Sequence, residues 1–144
     1  MNLKNKSWSA FVGLGGALIA LVALIIYIVN STTGFYANSS FNAWPVVLTI
    51  VGIALVVVRI FFAEKIPQGV DKLITLLAVC ALAGSFCLYI VSKLQVFADV
   101  YFIPVNYPPT EDAACSTAIA GIIVYVIATV ASIVSGCGND TKAE

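Results

Sequence analysis

The sequence TIVGIALVVVRIFF at residues 49–62 has two physical readings. In water, a run this rich in Val and Ile fits a strand buried on both faces. Taken back to Pro45, however, it meets no charge before Arg59. At ~1.5 Å rise per residue a helix over 45–62 spans roughly 27 Å, close to the hydrocarbon thickness of a bilayer. A helix closes its own backbone hydrogen bonds, as lipid requires. Length therefore outweighs β propensity, and the segment reads as a transmembrane helix. Pro45 suits its first turn, where an N–H has no intrahelical partner.

Three further stretches share that length and composition: 11–29, 73–92 and 116–135. No Asp, Glu or Lys lies in any of the four. The 144 residues are 61% hydrophobic and 10% charged, against about 25% charged in soluble domains. The expected fold is all-α: one polytopic domain, a four-helix transmembrane bundle with up-down topology, since short connections make sequence neighbours antiparallel. The first run has the basic start of a signal peptide, but it is long for one and no A-x-A site follows, so a retained helix is expected.

Basic residues set the expected orientation. Lys4, Lys6, Arg59, Lys65, Lys72 and Lys142 fall on one side of the layer and Lys93 alone on the other. The positive-inside rule then predicts a multi-pass protein of the cell membrane with both termini cytoplasmic and loops 30–44 and 93–115 outside. Arg59, one turn from the inner end of its helix, is expected to snorkel to the headgroups. Glu64 and Asp71 are within reach as ion-pair partners, and a functional role is the alternative to snorkelling.

The outward loops are aromatic. The first, NSTTGFYANSSFNAW at 30–44, has no charge; the second has three prolines within 104–109, which bars a regular helix there. Phe35, Tyr36, Phe41, Trp44, Tyr101, Phe102 and Tyr107 form a candidate partner surface. Rings of this kind also form the aromatic belts of membrane interfaces. Asn30 and Asn38 each begin an N-x-[ST] match, with Asn30 too near the membrane to be a good glycan acceptor.

Small residues mark expected packing faces. Gly13, Gly16, Ala17 and Ala20 share a face of the first helix. Ala118, Gly121, Tyr125, Ala128, Thr129, Ser132 and Gly136 make a longer stripe on the last. The third has two ridges, Ala78–Ala81–Ser85 and Cys80–Gly84–Cys87, as if wedged between neighbours.

The chain has no His, no Gly-rich phosphate loop and no nucleophile elbow. No catalytic residue, cofactor or metal is expected. Zero net charge without a basic block gives nucleic acid no footing. A small four-helix drug transporter would keep a Glu in its first helix, and 11–29 has none. The four cysteines contain no C-x-x-C; buried free thiols are expected, with Cys87–Cys115 the one pairing left open. These features favour a non-catalytic accessory or scaffolding subunit of a larger membrane assembly, such as a transport complex. Its expected partners are the bilayer and other membrane subunits or copies of itself. The alternative is a small oligomeric channel or facilitator for a neutral solute, lined by the last helix.

Overall fold

The structure is a computed structural model and describes residues 8–38, 41–62, 65–102 and 109–138. Among the described residues it is all-helical, with four helices long and apolar enough to cross a membrane. These are α1 Trp8–Thr32, α2 Trp44–Phe62, α3 Gln68–Phe102 and α4 Pro109–Cys137, with a 3-10 helix, Gly34–Asn38, between α1 and α2.

Local chemistry explains the ends. After α1, Thr33 N–H still donates to Val29 O, and Gly34 then takes φ 60°, the left-handed conformation that stops a helix. The Asn42 side chain caps α2 by accepting from Trp44 N–H at 3.1 Å. Asp71 lies in the first turn of α3, and Glu111 and Asp112 in that of α4 behind Pro109. Acids there face the positive end of the helix dipole.

α1 packs on α4 and α2, and α3 packs on α2 and α4. Close approaches show which segments meet. Gly13 of α1 lies against Ser135 of α4, and Gly121 of α4 against Ile26 of α1. Gly52 of α2 meets Leu82 of α3, and Gly136 of α4 meets Thr75 of α3. One end of the bundle therefore carries Arg59 and Asp71, and the other carries Phe41, Lys93 and Phe102. They are called here the Arg59 end and the aromatic end.

The core runs between them in three groups. Ala10, Ala17, Val56, Ile60 and Ala78 fill the Arg59 end. Ala20, Leu82 and Ala128 fill the middle. Ala23, Tyr27, Tyr89, Ala118 and Tyr125 fill the aromatic end. Large aliphatics such as Leu18, Ile25, Ile50, Leu76 and Ile127 point outward. Small residues inside and large apolar ones outside suit lipid as the solvent.

α3 is the long element, at 35 residues. It continues well past the apolar length at 73–92, so 93–102 is helix rather than loop. That extension carries Lys93, Asp99, Tyr101 and Phe102.

Candidate functional site

The small-residue stripes become contacts. Gly13, Gly16, Ala17 and Ala20 are all buried in α1. A Cβ on Gly16 would sit 3.0 Å from Ala131 Cβ, so α1 and α4 touch nearly backbone to backbone. On α4, Gly121, Tyr125 and Ser132 are buried with the rest of their stripe. On α3 only the Ala78–Ala81–Ser85 ridge is buried. Cys80 and Cys87 of the second ridge are exposed, which corrects the expectation of a wedged helix, and only Gly84 between them lies against a neighbour, Leu48 of α2.

The interior is polar at intervals, and these groups serve one another. Tyr125 OH lies 2.8 Å from Thr49 Oγ1, which lies 2.7 Å from Ser85 Oγ. Thr49 and Ser85 both reach Pro45 O, at 2.7 and 2.8 Å. With Tyr125 donating to Thr49, and Thr49 and Ser85 to the carbonyl, each hydroxyl proton is placed. Thr129 and Ser132 donate to the carbonyls of Tyr125 and Ala128 on their own helix. Near the aromatic end, Tyr27 OH donates to Asn42 O at 2.6 Å, and Asn30 Nδ2 to Tyr89 OH at 3.1 Å. Asn30 is thus committed to the core, as a glycan acceptor would not be. The Asn38 side chain lies outside the described residues.

At the opposite end, Arg59 corrects the snorkelling expectation. It is 2% exposed and turns inward. Its Nε donates to Asp71 Oδ1 at 2.9 Å, and its terminal nitrogens reach Ser135 Oγ at 3.2 Å and Ser135 O at 3.1 Å. Lys72 Nζ donates to Gly136 O at 2.7 Å. Two cations therefore cap the last carbonyls of α4, the negative end of its dipole. This negative end and Asp71 together offer the guanidinium more than the headgroups would. Glu64 lies outside the described residues.

The candidate partner surface divides. Phe102 is 84% exposed and Trp44 66%, with Phe35, Phe41 and Tyr101 also exposed. Tyr36 is buried, which corrects its place in that surface, and Tyr107 lies outside the described residues. The reason for Tyr36 is Lys93, whose ammonium sits 3.5 Å from the centre of the Tyr36 ring. Burial pushes the Tyr36 phenol up to about 12.

Lys93 is the residue that sequence reasoning missed. It is 4% exposed. Its signal was present: Ala78, Leu82, Ser85, Tyr89 and Lys93 follow one another at helical spacing of three or four, on the buried stripe of α3. Lys93 lines a cavity of about 370 Å³ among α1, the 3-10 helix, Asn42 and α3. Ser31, Ser92, Gln95 and Asp99 add polar lining, and Tyr27, Phe35 and Tyr36 add rings.

All four cysteines are free. Cys115 is buried, while Cys80, Cys87 and Cys137 are exposed, which corrects the expectation of buried thiols for those three. Among the described residues, no group of three or more His, Cys, Asp or Glu side chains could hold a metal ion. No family model, curated protein or solved structure matches the chain.

Proposed function

We propose that this protein is a non-catalytic accessory or scaffolding subunit of a larger membrane assembly, such as a transport complex. In this reading the chain crosses the cell membrane four times, up and down, with both termini cytoplasmic and the aromatic end outside. The asymmetry of Lys and Arg supports that orientation. The observation that carries the subunit reading is the exposed aromatic set Trp44, Tyr101 and Phe102, with Phe35 and Phe41 beside it. Rings presented this way are anchors for a protein partner.

The state of the interior favours this reading over a channel. Tyr125, Thr129 and Ser132, the hydroxyls that would line a solute path on the last helix, are buried and hydrogen-bonded within the one chain. An oligomeric pore lined by them would need those bonds broken and α4 turned outward.

Mild detergent extraction of the tagged full chain tests the proposal. The expected result is a complex well above 15.2 kDa with reproducible partner polypeptides, which Trp44→Ser with Phe102→Ser releases while the chain stays folded. A chain that runs alone and monodisperse overturns it. So does a complex indifferent to those two substitutions.

A further inference from the structure

We propose that the cavity at the aromatic end binds a small zwitterionic group, with Lys93 and Ser31 taking its oxyanion and Asp99 facing its ammonium. Three observations converge on the same space.

The first is a buried cation without an anion. The sole ion pair among the described residues is Arg59–Asp71. No described carboxylate therefore lies within 4.0 Å of Lys93 Nζ, which meets the face of Tyr36 instead. A ring face offsets only part of what an ammonium loses on leaving water. An oxyanion in the cavity would supply the rest.

The second is the Ser31 hydroxyl. Ser31 is 5% exposed, lines the same cavity, and its Oγ has no hydrogen-bond partner among the described residues. The nearby Tyr27 OH gives its own proton to Asn42 O and is at most a weak acceptor for Ser31. Buried hydroxyls are ordinarily paired, and this one borders the space that Lys93 borders.

The third is Asp99, the one acid in the cavity lining. It disfavours a ligand that brings negative charge alone and favours one that brings its own cation. The rings of Tyr27 and Phe35 suit an ammonium as well. A volume of about 370 Å³ admits a group the size of phosphoethanolamine. Two sources share this chemistry: a phospholipid headgroup entering from the bilayer, and a free zwitterion entering from the aqueous side.

The full chain, purified in non-ionic detergent, is titrated with phosphatidylethanolamine, soluble phosphoethanolamine and phosphatidylglycerol, with binding followed by native mass spectrometry. One of the two zwitterions is expected to bind at least ~10-fold tighter than phosphatidylglycerol, the worth of one charge-assisted contact. Binding of the lipid alone identifies a headgroup site; binding of phosphoethanolamine identifies a site open to free solute. Lys93→Met and, separately, Ser31→Ala are each expected to weaken binding about 10-fold or more. Asp99→Asn is expected to remove the preference over phosphatidylglycerol. Ser31→Ala deletes one oxygen and keeps the test available if Lys93→Met fails to fold. Wild-type chain that holds neither zwitterion overturns the proposal, as do variants that bind as the wild type does.

Discussion

Arg59 is held by an acid on one helix and by the terminal carbonyl region of another. Removing one partner of a buried pair strands the other's charge, whereas removing both leaves an apolar contact. Asp71→Asn is therefore expected to destabilise the bundle by about 3 kcal/mol. Arg59→Met with Asp71→Leu should cost less than the two single changes together, measured by unfolding in a denaturing detergent. Sequence reasoning named Asp71 as a partner but aimed Arg59 at the headgroups, because depth along one helix says nothing about the carbonyls a neighbouring helix brings. Tyr36 gives a second expectation at this scale. Its folded phenol keeps its proton up to about pH 12, while an unfolded one releases it near 10. The stabilisation is thus complete below pH 10 and is lost as pH rises from 10 to 12. Tyr36→Phe should flatten that part of the stability–pH curve, read by alkaline unfolding with phenolate absorbance.

The seam between α1 and α4 belongs to whole elements, and its glycines differ in a measurable way. A Cβ on Gly121 would meet Ile26 Cγ2 at 2.9 Å and Tyr89 Cε1 at 2.9 Å, while one on Gly15 would meet nothing within 4 Å. Gly121→Ala is expected to destabilise by about 1–3 kcal/mol through overpacking. Gly15→Ala is expected to stabilise by up to about 1 kcal/mol, since Ala is the better helix former. Thermal unfolding of the two variants in one detergent compares them directly; equal effects would place Gly121 outside the seam. The helices were legible from the lengths of uncharged sequence, and the faces of α1 and α4 from small residues at helical spacing. The extension of α3 to Phe102 was not, because VSKLQVFADVYF at 91–102 mixes apolar and polar residues as helices and interfacial loops both do. The polar bridges Thr49–Ser85–Tyr125 and Asn30–Tyr89 join residues 36 to 76 apart in sequence. Their register is set by how helices dock, which no local pattern carries.

Across the described residues, small residues and hydroxyls line the interior, and large aliphatics form the exterior. Such an exterior would drive aggregation in water and is at home in lipid. In the orientation proposed from the Lys and Arg asymmetry, Arg59 and Cys137 lie at the cytoplasmic end and Phe102 outside. Cys115 makes a poor reporter of this arrangement because it is buried, whereas Cys137 and Phe102 are exposed and lie at opposite ends. The most direct test uses two single-cysteine proteins in cells: one keeps only Cys137, and the other replaces all four cysteines with Ser and adds Phe102→Cys. Each is exposed to a thiol reagent that cannot cross membranes. Phe102→Cys is expected to react in intact cells, and Cys137 only after the cytosol is opened. Cys137 reacting in intact cells, with Phe102→Cys protected until lysis, would contradict this orientation; both reacting in intact cells would contradict it equally.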